Sequence, residues 1–139
     1  SLDMKDPAAA ERTVEVARAA GGRAPERLWL CHHDWRQVAA WRAPFPEVRL
    51  VDSTRLARMK QGPERRAAQL AEAGIDAVNL HRSDWNPGLV ALFHRFDRLA
   101  FAWDCQLERH LAELLDMGVD AVYSDHVDRM TDALAAAYP

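Results

Sequence analysis

Short runs rich in apolar residues recur along the chain, each followed by a longer stretch with helical spacing. The runs are Leu2 to Lys5, Leu28 to His32, Val48 to Asp52, Ala77 to Leu80, Leu99 to Trp103 and Ala121 to Ser124. Their length, their branched and aromatic content and their polar closures predict six β-strands. The intervening stretches read as helices with one apolar face. Leu107, Leu111, Leu114 and Leu115, for example, fall on a single stripe at helical spacing. Start and stop signals agree: Asp6 before Pro7 predicts a cap and first residue for a helix that ends at Gly21 and Gly22, and Asn86 with Pro87 repeats the device.

Two junctions share one grammar. "AGIDAV" at 73–78 and "MGVDAV" at 117–122 each place a glycine stop after a helix, then an aspartate, then the start of a strand. The two glycines, Gly74 and Gly118, lie 44 residues apart with one further strand between them, which gives about 22 residues per strand-plus-helix unit. Strands apolar on both faces, alternating with helices apolar on one, predict an α/β fold with a parallel sheet. The choice at this level is an open doubly wound sheet or a (β/α)8-type barrel. "APFPE" (43–47) and "KQGPE" (60–64) read as turns, and no low-complexity linker divides the chain, so residues 1–139 are expected to form one domain.

Composition narrows the function classes. The 18 basic and 21 acidic residues are interspersed and leave a net charge of −3, with no basic face suited to nucleic acid. No run of about 18 apolar residues predicts a membrane span. Cys31 and Cys105 lack metal-binding or disulfide spacing and read as free thiols in a reducing, cytoplasmic setting. The spacings HExxH, CxxC, GxSxG and GxGxxG are all absent from the sequence, which removes the zinc-protease, dithiol-redox, serine-hydrolase and dinucleotide readings.

In parallel α/β folds ligands sit beyond the carboxyl ends of the strands, and here those ends are polar. Alternation puts Asp3 and Lys5 on one face of the first strand and Leu2 and Met4 on the other. A carboxylate there suits a hard divalent cation, and an ammonium beside it suits a phosphate oxygen; the alternative is an ion pair that fixes register. His32, His81, Asp125 and His126 end or follow strands and are the further candidates for the mouth, while His94 and His110 fall inside helices. Adjacent His32 and His33 cannot both face one site. Trp103, closing "FAWD", is a candidate wall for the apolar part of a ligand.

Together, "SLDMKDP" and the stretch "RLAFAWDCQLERHLAELLDMGVDAVYSDHVD" resemble the glycerophosphodiester phosphodiesterase family. The first resembles that family's strand ending acidic-x-Lys; the second resembles its closing Trp-containing strand, helix and last strand. "WLCHHDW", "LVDSTRL" and "DAVNLHRSDW" take the places of the strands between. The resemblance implies a partial TIM (β/α)8 barrel holding about six βα units, strands three to eight, with the first two units upstream of Ser1. It implies hydrolysis of a small-molecule glycerophosphodiester, as in lipid metabolism, to glycerol phosphate and an alcohol. It further implies a divalent cation (Mg2+ or Ca2+) with Asp3 among its ligands, and Lys5 and Trp103 as substrate-binding residues. The acid–base histidines are expected upstream, so no catalytic residue is assigned here and the chain alone is expected to be inactive. Asp3 stands where the family has glutamate, Ala121 where it has glycine, and "SDHV" where it has Thr-Asp-Arg-Pro. The competing expectation is a non-catalytic α/β domain that binds an anionic ligand or a partner chain. Its open sheet edges point to self-association.

Overall fold

The computed structural model describes residues 1–138. Its strands are β1 (Leu2–Asp3), β2 (Trp29–His32), β3 (Arg49–Thr54), β4 (Ala77–His81), β5 (Leu99–Trp103) and β6 (Ala121–Val122). The helices following them are α1 (Ala9–Ala20), α2 (Trp35–Ala40), α3 (Pro63–Glu72), α4 (Pro87–Arg95), α5 (Glu108–Asp116) and α6 (Val127–Ala137). All six strands are parallel and stand in the sheet in the order in which they occur in the chain. Parallel crossovers are right-handed, so a sheet that always advances in one direction carries every helix on the same face. The normal twist then curls the sheet away from the helices into a barrel arc. The architecture is a partial (β/α)8-type barrel.

The two faces of the sheet have different surroundings. Leu30, Leu50, Val78, Leu80, Ala100 and Ala102 point outward into the main core, where they meet Val14, Val38, Leu70, Phe93 and Leu111 from the helices. Cys31, Val51, Ala77 and Phe101 point inward and form a smaller cluster with Trp29, Ala121 and Tyr123. The arc curls far enough for its ends to meet through side chains: Ser1 Oγ lies 2.8 Å from the Tyr123 hydroxyl. The strands β1 and β6 themselves do not pair.

The repeated junction grammar has a repeated mechanical role. Gly74 (φ 68°) and Gly118 (φ 84°) take the left-handed conformation that ends α3 and α5. The next amide folds back onto its helix, Ile75 N–H to Leu70 O (2.9 Å) and Val119 N–H to Leu114 O (3.1 Å). Asp76 and Asp120 then accept from the amide of the second residue of the preceding strand, Leu50 N–H at 2.9 Å and Ala100 N–H at 2.7 Å. Each aspartate thus sets the register of the strand it opens against its neighbour.

All six predicted strands are present, with shifted ends. The edge strands β1 and β6 pair over two residues each, because an edge strand has a partner on one side only. The first helix also starts later than Asp6 and Pro7 predict. Asp6 Oδ1 accepts from Ala8 N–H (2.9 Å) and makes a local turn, and helical bonding begins at Ala9. Asn86 caps α4 as expected, accepting from Leu89 N–H at 3.0 Å.

Candidate functional site at the carboxyl ends of the strands

Strand alternation gathers one set of side chains inside the arc. Asp3 and Lys5 come from the first strand and the residues after it, Cys31 from β2, Ser53 from β3, Asn79 from β4, and Trp103 from β5. With Ser1 and Tyr123 they line a cavity of about 440 Å³ at the carboxyl ends of the strands. Lys5 Nζ donates to Asp3 Oδ2 at 2.5 Å, and the lysine side chain is 88 % exposed. An exposed ion pair of this kind is weak. The ammonium has further N–H groups with which to engage an anion entering the cavity.

Deeper in the mouth the polar groups are neutral. Asn79 is buried; its Nδ2 donates to Ser53 Oγ at 3.1 Å, while its Oδ1 has no partner. A buried acceptor left unmade costs about 1–3 kcal/mol, so Asn79 Oδ1 marks a place for a donor from a ligand. Ser1 Oγ bridges Cys31 Sγ (3.2 Å) and the Tyr123 hydroxyl. Burial pushes the Cys31 thiol up and the Tyr123 phenol up to about 12, so neither is an anionic nucleophile near neutral pH.

Trp103 is held rigidly. The His81 ring meets it edge-on at 4.7 Å, and the Arg55 guanidinium lies 5.8 Å from the ring centre. Arg55 is itself fixed by a two-point ion pair with Asp84, at 2.8 and 3.1 Å. Ser83 N–H donates to His81 Nδ1 at 3.2 Å, which leaves the ring proton on Nε2, 3.0 Å from Asp104 Oδ2. Asp104, the residue after β5, has φ 64°, in the left-handed region uncommon for residues other than glycine.

Asp3, Lys5 and Trp103 thus share one cavity, and His81 stands behind Trp103 on the rim. His32 does not reach the mouth: Cys31 faces inward, so its neighbour faces the helices. There His32 is buried against Trp41 (6.0 Å, edge-on), and its Nδ1 accepts from Asp34 N–H at 3.1 Å. Asp125 and His126 lie in the loop after β6, outside the cavity. Asp125 Oδ2 accepts from Gln106 Nε2 (2.9 Å), and the His126 N–H donates to Ser124 Oγ (3.1 Å). Sequence reasoning passed over Ser53, Asn79 and Tyr123 as site residues. Their signal was a polar residue on the inward parity of an otherwise apolar strand, as in "AVNLH".

Among the described residues no three His, Cys, Asp or Glu side chains lie close enough to hold a metal ion. Among the described residues Asp3 is the only carboxylate lining the cavity, and its Oδ2 is engaged by Lys5. By themselves these donors do not fit a divalent cation.

No protein-family model matches the chain, and no curated protein sequence does. Solved structures do. A phosphodiesterase from Oleispira antarctica, in complex with the product sn-glycerol-3-phosphate, superposes with a TM-score of 0.74 at 17% identity, over 90% of this chain and 48% of that one. A glycerophosphodiester phosphodiesterase from Parabacteroides distasonis gives a TM-score of 0.66 at 17% identity, over 98% of this chain and 56% of that one. The fold is that of part of a glycerophosphodiester phosphodiesterase barrel. A third structure, assigned as a glycerophosphoryl diester phosphodiesterase from Silicibacter pomeroyi, gives a TM-score of 0.71 at 21% identity, over 95% and 46% of the two chains. The chain therefore spans about half the length of the solved structures it matches. The resemblance read from the sequence holds at the level of fold. No helix among the described residues is long and apolar enough to cross a membrane.

Proposed function

We propose that this chain supplies the substrate-binding arc of a barrel that hydrolyses glycerophosphodiesters to glycerol phosphate and an alcohol. The observation that carries this reading is the convergence of Lys5, Asn79 and Trp103 on one cavity at the carboxyl ends of parallel strands. Lys5 takes a phosphate oxygen as a point charge. Asn79 Oδ1 accepts from a glycerol hydroxyl, and the braced face of Trp103 covers the glycerol carbons. The phosphodiesterase neighbour that holds sn-glycerol-3-phosphate supports the choice of ligand.

A divalent cation, Mg2+ or Ca2+, would stabilise charge on the phosphoryl oxygens. Asp3 would be one of its ligands only with carboxylates contributed from outside these residues. The acid and base are assigned there too, and each such group carries about 10²–10⁴ in rate. This chain alone then binds glycerol phosphate without turning over a diester.

Nuclear magnetic resonance titration of the labelled chain with sn-glycerol-3-phosphate tests the reading. The expected result is saturable shifts at Lys5, the Asn79 amide and the Trp103 indole, with affinity at least tenfold weaker in Lys5→Ala, about 1.4 kcal/mol. A silent mouth would overturn it. The competing reading, a non-catalytic binder of anions, is favoured by the engagement of Asp3 with Lys5. Binding of sn-glycerol-3-phosphate in preference to inorganic phosphate, with the preference lost in Asn79→Leu, decides for the hydrolase; equal affinity for the two anions decides for the binder.

A further inference from the structure

A second polar cavity lies on the same rim but outside the arc, where the start of α2 meets the loop between β3 and α3. It encloses about 240 Å³, and its lining includes Trp35, Arg36, Arg58, Lys60, Arg66 and Gln69. "RMKQGPERR" (58–66) reads from sequence as a turn flanked by charges. In the fold it becomes a concentration of positive charge.

Three of the four cations have no counter-charge. Among the described residues Arg36, Arg58 and Lys60 form no ion pair. Arg66 is the fourth, with a side chain only 13 % exposed. Its Nη1 donates to Asp52 Oδ2 at 2.6 Å, and its other N–H groups have no acceptor among the described residues. Both the Arg36 and Arg66 guanidinium groups lie over the single indole of Trp35, at 4.9 and 5.6 Å from its centre. Two cations on one ring repel each other unless an anion joins them.

Among the described residues no carboxylate lines the cavity. Asp52 is wholly buried beneath Arg66 and pairs with that cation alone, and Asp34 caps α2 by accepting from Arg36 N–H at 3.0 Å. The backbone adds to the same field. The ten-residue α3 begins after Gly62 (φ 85°), which also lines the cavity, and no side chain caps its first turn.

We propose that this cavity binds a phosphate monoester dianion, with Arg66 as the fixed fork and Arg36, Arg58 and Lys60 closing around the remaining oxygens. The site is separate from the mouth and does not depend on the phosphodiesterase reading. The dianion comes either from a soluble phosphorylated metabolite or from a phosphomonoester lipid headgroup.

The test titrates the full 139-residue chain with inorganic phosphate and, separately, with vesicles containing phosphatidic acid. The expected result is saturable shifts at the Trp35 indole, Gly62 and Arg66, weakened at least tenfold in the triple variant Arg36→Ala/Arg58→Ala/Lys60→Ala. These three side chains are exposed, so the variant is expected to fold, and an unchanged Tm checks it. Arg66→Lys keeps the charge above Asp52 but removes the fork, and is expected to weaken binding several-fold. Lys5→Ala is expected to leave this binding unchanged, which separates the site from the mouth. Saturation by soluble phosphate without vesicle co-sedimentation assigns the soluble source; co-sedimentation abolished in the triple variant assigns the headgroup. Shifts confined to the mouth, binding unaltered in the folded triple variant, or no binding to either probe would overturn the proposal.

Discussion

The two ends of the barrel arc use similar residues to opposite effect. At the amino ends of the strands, charges are consumed by the protein itself. Asp76 Oδ2 accepts from Arg42 at 2.7 Å and from Leu50 N–H at 2.9 Å, and its Oδ1 accepts from Arg49 at 2.9 Å. Arg42 completes its bonding on the carbonyls of Gly74, Pro46 and Val48. At the carboxyl ends, Lys5 projects into solvent, Asn79 Oδ1 and Asp52 Oδ1 are buried without partners, and Arg36, Arg58 and Lys60 form no ion pairs. In a (β/α)8-type barrel the first end holds the fold together and the second is left incomplete for a ligand. The contrast is one of bonding still unmade, since charged and polar residues are plentiful at both ends.

Removing a carboxylate from the completed end gives the largest effect. Asp76→Ala strands Arg42, Arg49 and a strand amide together, and is expected to cost about 3 kcal/mol in denaturant unfolding. Asp120→Ala, the same position in the repeated junction, is expected to cost about half as much. It strands only Ala100 N–H and the partly exposed His94, whose Nε2 lies 2.8 Å from Asp120. Equal losses at the two junctions would mean that Arg42 and Arg49 add nothing, and the contrast between the ends would weaken.

Asp52 sharpens the comparison through pH. Burial pushes its carboxyl up to about 6, against the pull of Arg66, with Asp34 adding a like charge nearby. Its folded value lies above its unfolded value of about 3.9, so the native state holds the proton more tightly. The associated stability is complete below about pH 4 and is lost as pH rises through about 6, an effect on the order of 3 kcal/mol. Unfolding curves of the wild type minus those of Asp52→Asn should isolate this slope. A flat difference would show that Arg66 cancels the effect of burial, and stability lost instead as pH falls through about 4 would show that Arg66 holds Asp52 ionised.

The elements were legible in the sequence because each is specified locally. The 22-residue rhythm, the glycine stops and the apolar strands need no knowledge of distant contacts, and all six strands were found from them. That Asp3 and Lys5 share one face was legible for the same reason, since alternation along an extended stretch is local, and Trp103 was legible as a strand-end residue. His32 was not. Its direction depends on whether Cys31 or His32 takes the inward parity, which the curl of the sheet and the packing of Trp41 decide. Asp125 and His126 lie in a loop, where alternation has no meaning. The repeated aspartates were seen as a pattern, but their function as register pins requires the neighbouring strand. The basic cavity was not legible because its cations come from α2, from the loop between β3 and α3 and from α3 itself, and only the fold brings α2 to the other two.

The smallest expected change in stability is also the most telling, because it should separate the ends by sign. Asn79→Leu keeps the volume of the side chain and removes both the unpartnered Oδ1 and the donation to Ser53. A buried polar atom without a partner is a cost that the fold carries, so its removal should leave stability unchanged or raise it by about 0.5–1 kcal/mol. The same change should weaken binding of sn-glycerol-3-phosphate at least tenfold, because the ligand hydroxyl then meets a methyl group. Residues at the completed end cannot behave this way: removing Asp76 leaves partners behind, whereas removing Asn79 leaves almost none. If Asn79→Leu were to lose 2 kcal/mol or more in unfolding, the amide would be part of the scaffold, and the incompleteness of the carboxyl end could not be read as a place kept for a ligand.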